Sequence, residues 1–294
     1  MRSRARSLNL DVPLASLTSL SDTSRVFADA LPMRHLALQK PNDIDAAIVA
    51  TIEGATDAVL SGQALALVTN PIAKKSLQAI PLEYPGHTAF LGLLASRYHH
   101  GRHFQPTMML VADVLKVVPA TVHIPVSAIA NTLTKDLVLQ TIRTTATALV
   151  QDFGILQPRI AVAGLNPHAG EGGLIGKEEA AYITPAITEA SADGIRVTGP
   201  HSADTLFHAE ARATYDAVVA MYHDQALIPL KTLAFDDGVN VTLGLPFVRT
   251  SPDHGTAFDL AGTGRARPHS FIAALRLADL LGKRRAAARL LASP

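Results

Sequence analysis

The chain is 294 residues long, 48% hydrophobic and only 17% charged, enough apolar material for one large core or two modest ones. Its 26 Lys plus Arg against 25 Asp plus Glu give a formal charge of +1, so no whole-molecule field recruits nucleic acid or an anionic membrane. The absence of cysteine removes disulfides, thiolate nucleophiles and Cys-rich zinc sites, and leaves carboxylates and 12 histidines as metal ligands.

Met1-Arg-Ser-Arg-Ala-Arg-Ser7 is basic, but no secretory apolar segment follows, so it is expected to be a surface tail. Apolar stretches break well before the roughly 18 residues of a membrane span, and a cytoplasmic protein without membrane contact is expected. The pattern predicts a helix over 43–60, a break at Gly62, and a buried strand over 64–68 that ends at Thr69-Asn70-Pro71. Strands are predicted at 107–111 and 115–118, with extended chain continuing through Val122-His123-Ile124. Apolar residues at helical spacing mark a helix over about 134–153, stopped by Gly154. A strand over 159–163 then enters the Gly-rich segment 164–173, followed by a helix over 177–192. Further strands are predicted at 195–198, 217–220, 239–243 and 247–249, and a helix from about Ser270 to the end. The alternation argues for a layered α/β architecture.

Ligand sites in such folds lie beyond the carboxyl ends of strands. His123, His168 and His223 each follow a predicted strand, and three neutral imidazoles could hold one divalent cation with positions open for substrate. Their separations of 45 and 55 residues fit no local metal motif, and for any one of them alone a structural role is the simpler reading. The segment 164–173 satisfies neither a Walker motif, because positions 171 and 178 hold Glu, nor a Rossmann fingerprint, because position 175 is Ile. Lys231, Asn240 and Arg249 sit at strand margins and suit an oxyanion, although such cations are commonly just solvated. His87 and Thr88, after Pro85-Gly86, could add donors, and Lys74 is a weaker candidate. The polar, Gly-rich loop 251–264, with Asp253 and Asp259, is long enough to suggest a ligand contact.

Three segments carry a resemblance. Gly164-Leu-Asn-Pro-His-Ala-Gly-Glu-Gly-Gly173, Met221-Tyr-His-Asp-Gln225 and the run from Gly238-Val-Asn-Val-Thr-Leu to His254-Gly-Thr-Ala257 closely resemble the 4-hydroxythreonine-4-phosphate dehydrogenase family of pyridoxine biosynthesis, over about residues 40–285. The resemblance implies a fold like that of isocitrate and isopropylmalate dehydrogenases, with two α/β subdomains and the active site in the cleft between them. Residues 1–88 and 232–294 would form the cofactor side, and 89–231 the metal-binding and dimerisation side. It further implies NAD or NADP on the loop of His254, Gly255, Thr256, Ala257 and Asp259. One zinc, magnesium, manganese or cobalt ion would sit on His123, His168 and His223, in a site completed across a homodimer. A small phosphorylated substrate would contact His87, Thr88, Lys231, Asn240 and Arg249.

The implied reaction is NAD-dependent oxidation of 4-phosphohydroxy-L-threonine to 2-amino-3-oxo-4-phosphobutanoate, which loses carbon dioxide to give 3-amino-2-oxopropyl phosphate. The alternatives are a related dehydrogenase of a phosphorylated threonate or erythronate, or a catalytically silent paralogue. A cis-dihydrodiol substrate is disfavoured by Lys231, Asn240 and Arg249. Two departures stand out. No Gly-Asp-Pro-x-Gly-Ile-Gly-Pro-Glu turn occurs before Asp43, so the family's first strand, loop and helix are expected to be missing, and Ala89 replaces a common Glu.

Overall fold

The computed structural model describes residues 1–37, 43–73 and 86–292. Lys74 and Pro85 fall outside the described residues. Ten strands are labelled here in chain order: β1 (Leu14–Ser16), β2 (Leu31–Met33), β3 (Ala66–Val68), β4 (Thr107–Ala112), β5 (Leu115–Thr121), β6 (Arg159–Ala163), β7 (Arg196–His201), β8 (Ala217–Tyr222), β9 (Val239–Leu243) and β10 (Val248–Pro252). The longer helices are α1 (Ile44–Leu60), α2 (His87–Tyr98), α3 (Lys135–Gln151), α4 (Thr184–Ala192), α5 (His223–Leu233) and α6 (His269–Ala292).

Local chemistry explains most boundaries. Asp43 caps α1, its Oδ1 accepting from the Ala46 N–H at 3.0 Å, and Thr134 caps α3 through the Leu137 N–H at 3.1 Å. In α3, Val138, Ile142, Thr145 and Leu149 recur at helical spacing and are fully buried. They pack with Ile183 and Ala186 over β6 and β8, whose central residues Ile160, Val162, Val219 and Met221 close the larger core cluster. Burial of each such aliphatic side chain contributes about 1.5–3 kcal/mol. The opposite sheet face is covered by α5 through Ala226, Leu227 and Leu230.

Three expectations need correction. The stretch after β5 is not extended: His123 turns back at φ 53° and residues 126–128 form a 3-10 turn. Residues 179–183 form a π turn ahead of α4, so the helix expected over 177–192 is regular only from Thr184. The basic segment expected as a surface tail is an exposed helix over Arg2–Ser7, and beyond it β1 pairs with β2 in a small parallel sheet.

The other eight strands form one sheet in the order β3-β10-β9-β4-β5-β8-β6-β7. Strands from 89–231 fill one half, β4 to β7, and strands from the flanking segments fill the other. Parallel pairing of β5 with β8, β8 with β6, and β6 with β7 puts their carboxyl ends on one edge. The antiparallel pairs β5–β4, β4–β9 and β9–β10 reverse the direction three times, so β10 and its parallel neighbour β3 end on the opposite edge.

Candidate active site

The first cluster is an imidazole edge. Thr121 of β5 is in register with Tyr222 of β8, and its hydroxyl donates to the Met221 carbonyl at 2.8 Å. The two chains therefore leave the sheet side by side, and the His123 and His223 rings lie 5.6 Å apart, centroid to centroid, on a cavity of about 140 Å³. Nδ1 of His223 is 2.7 Å from Asp224 Oδ1, which fixes the ring and leaves Nε2 for a ligand. Two imidazoles bound to one tetrahedral ion, with nitrogens about 2 Å from it, have centroids about 5 Å apart, a separation close to that of this pair.

His168 sits on the same sheet edge, in the loop after β6. Residues 168–172 all adopt left-handed conformations, including His168 (φ 52°), Ala169 (φ 50°) and Glu171 (φ 42°), an uncommon strain that clusters at functional sites. The loop is folded around one buried carboxylate. Glu179 accepts from the backbone N–H groups of Leu165 and Asn166 at 2.9 and 2.8 Å and from Asn166 Nδ2 at 3.0 Å. A Cβ at Gly170 would stand 2.5 Å from Glu179 Oε2, so that glycine serves packing rather than a ligand. Buried Gln225 joins the two segments, accepting from the Met221 N–H at 2.6 Å and donating to the Gly164 carbonyl at 2.8 Å. Among the described residues, no three His, Asp or Glu side chains of the single chain converge as a metal site. One chain thus pairs His123 with His223 and holds His168 on the same edge.

The second cluster gathers around a buried cation on the β3 and β10 half of the sheet. Arg249 is buried, 5% exposed, with no carboxylate partner among the described residues. Burial pushes its guanidinium down to about 10. Nε and Nη2 donate to Thr69 Oγ1 at 3.1 and 2.7 Å, and Nη1 donates to Thr242 Oγ1 at 2.9 Å. His87, the first residue of α2, has a buried Nε2 without a hydrogen-bond partner among the described residues, and burial, reinforced by the Arg249 charge, pushes its pKa down to about 3. Gly86 caps α2 without a side chain, so the first-turn N–H groups have no side-chain cap. No acidic residue stands in that turn. Asn240 occupies β9 opposite Ser251, and Lys231 Nζ is 3.1 Å from Asp253 Oδ2, just beyond β10.

The loop after β10 lies on this second edge. His254 Nδ1 is 2.9 Å from the Gly255 carbonyl, Ala257 is left-handed (φ 43°), and Phe258–Leu260, containing Asp259, make a 3-10 turn. His254, Gly255, Ala257 and Asp259 are exposed, Thr256 is half-buried, and a Cβ at Gly255 would meet open space, so an extended cofactor has room against this backbone. Sequence reasoning missed Thr69, Thr242, Glu179 and Gln225, which touch the candidate residues rather than forming a motif of their own. Burial of a polar side chain was their signal, and it is visible only in the fold.

Comparison with known proteins is consistent over nearly the whole chain. The family described as "Pyridoxal phosphate biosynthetic protein PdxA" matches residues 2–278, so the match begins well before the residue near 40 expected from the motifs. A 4-hydroxythreonine-4-phosphate dehydrogenase of Xanthobacter autotrophicus is 51% identical over 289 residues, covering 96% of this chain and 82% of that protein. One from Bradyrhizobium diazoefficiens is 51% identical over 281 residues, covering 93% and 81%. The crystal structure of the Klebsiella pneumoniae 4-hydroxythreonine-4-phosphate dehydrogenase superposes with a TM-score of 0.80 at 36% identity, over 96% of this chain and 86% of that one. A terephthalate 1,2-cis-dihydrodiol dehydrogenase from Burkholderia xenovorans follows at 0.62 and 27% identity, over 92% and 84%. The mixed α/β fold with one large sheet is shared with these relatives, and the chain belongs to the PdxA family of pyridoxal phosphate biosynthetic proteins.

Proposed function

We propose that this dehydrogenase oxidises 4-phosphohydroxy-L-threonine with NAD or NADP, giving a β-keto acid that decarboxylates to 3-amino-2-oxopropyl phosphate in pyridoxal phosphate synthesis. The observation that carries the phosphate part of this reading is the buried Arg249 guanidinium, which has no carboxylate partner among the described residues and lies close enough to His87, the first residue of α2, for its charge to be felt there. Three of its five N–H groups are taken by threonines, and the other two, one on each terminal nitrogen, have no partner among the described residues and form the fork an oxyanion accepts. His87 is neutral at physiological pH and adds polar reach without a second charge. Lys231, oriented by Asp253, and Asn240 complete the anion's surroundings. A dihydrodiol would leave this guanidinium buried without a counter-charge, which argues against that substrate.

When bound, a divalent ion would polarise the 3-hydroxyl and lower its pKa, and a nicotinamide would accept the hydride. His123, His168 and His223 are the ligands this reading assigns, with Asp224 holding the His223 ring so that Nε2 faces outward. The open backbone of 254–259 would take the cofactor. Residues 1–88 with 232–294 form the cofactor side and 89–231 the metal side.

Sheet geometry supports a site shared by two copies. β10 and β8 are four strands apart, about 19 Å at the usual strand spacing. The 3-hydroxyl of the substrate lies on the carbon next to its phosphate ester and cannot span that distance. In this reading the anion pocket of one protomer meets the imidazole edge of its partner.

The test is reduced-nicotinamide formation from 4-phosphohydroxy-L-threonine, with and without a chelator. Chelator-sensitive turnover, strongly favouring this substrate over its unphosphorylated form and over phosphorylated threonate, is expected. Turnover of a cis-dihydrodiol but not the phosphate ester would overturn the reading, as would no turnover by the metal-loaded dimer.

A further inference from the structure

We infer that Thr69 and Thr242 are positioning residues that set Arg249 for phosphate, with Thr69 the more important. This rests on the reading of Arg249 as the phosphate ligand. A buried guanidinium normally gains its orientation from a carboxylate, and none contacts Arg249 among the described residues. A carboxylate would neutralise the charge and compete with the substrate. Two hydroxyl groups hold the planar fork while leaving its charge for the ligand. Thr69 Oγ1 takes the Nε side through two bonds, Thr242 Oγ1 takes Nη1, and only the outward N–H groups stay open. The fold makes this possible: Thr69 is the first residue beyond β3, its N–H bonding to the Thr250 carbonyl at 3.1 Å, and Thr242 stands on β9 beside Arg249. Both threonines are buried, so each hydroxyl has little water to bond instead. The methyl group of each packs as valine would, which makes a clean variant available.

Thr69→Val keeps the shape and removes the acceptor. It is expected to raise KM for the phosphorylated substrate about 10- to 100-fold, with a smaller change in kcat, since a hydrogen bond to a charged group is worth about 1.5–3 kcal/mol. Inorganic phosphate binding, measured by calorimetry on the metal-loaded enzyme, is expected to weaken by the same factor. Thr69→Ser, which retains the oxygen, restores both, and turnover of the unphosphorylated analogue is unchanged in either variant. A merely structural threonine would instead lower turnover of both substrates together, and that result, or wild-type KM and phosphate affinity in Thr69→Val and in Thr242→Val, overturns the inference. If the wild-type enzyme itself shows no preference for the phosphate ester and no phosphate binding, it is the underlying role of Arg249 that fails.

Discussion

At the scale of single residues, the anion pocket depends on which groups carry charge. His87 is held neutral by burial, reinforced by the nearby Arg249 charge, so its pKa drops to about 3 in the folded chain from the usual 6.5. The unfolded chain therefore binds more protons between those values, and this residue makes the fold lose stability as pH falls through that window. His87→Asn is expected to remove part of that loss: urea unfolding at pH 7 and pH 5 should show a smaller drop for the variant than for the wild type. Equal drops would place His87 in a more open setting. Arg249 differs in kind. It was legible in the sequence only as a cation at a strand margin, a position where most cations are solvated; its burial, and the choice of hydroxyl rather than carboxylate partners, follows from β10 lying inside the sheet between β3 and β9.

At the scale of elements, the sequence was most readable where one periodicity dominates. The strands 159–163 and 239–243 and the helices capped by Asp43 and Thr134 lie where apolar spacing and caps place them. It was least readable where a tertiary contact overrides local preference. The left-handed run 168–172 contains His, Ala and Glu, residues that rarely adopt positive φ; just ahead of it Glu179 accepts from the Leu165 and Asn166 N–H groups, and Gly170 packs against that carboxylate. Glu179→Ala is expected to leave buried N–H groups unsatisfied at a cost of about 1–3 kcal/mol, read by urea denaturation. Unchanged stability would mean the loop holds itself. The C-terminal helix is anchored in another way. Arg285 donates to buried Asp152 at 2.5 and 2.6 Å and to the Leu245 carbonyl at 3.1 Å, tying α6 to the end of α3. Arg285→Leu strands a buried carboxylate and should cost about 3–5 kcal/mol, part of which Asp152→Asn in the same background recovers. A loss below 1 kcal/mol would show that water reaches Asp152.

At the scale of the whole molecule, one continuous sheet carries two half-sites. α5 runs between them, beginning at His223 and carrying Lys231 eight residues later, about 12 Å along its axis. No motif shows this separation. The spacing of His123, His168 and His223 in sequence says only that three strands end in imidazoles, whereas the strand order sets those strands three to five places across the sheet from Arg249. Two protomers arranged so that each anion pocket meets the other's imidazole edge have two equivalent sites, each built from both chains, as a two-fold axis requires. Subunit complementation tests this most directly. His223→Ala and Arg249→Ala homodimers should both be inactive. After dissociation and reassociation together, each mixed dimer should regain one intact site, giving about a quarter of wild-type activity in a statistical mixture. Mixed dimers verified by native mass spectrometry but showing no recovered activity would contradict the shared site.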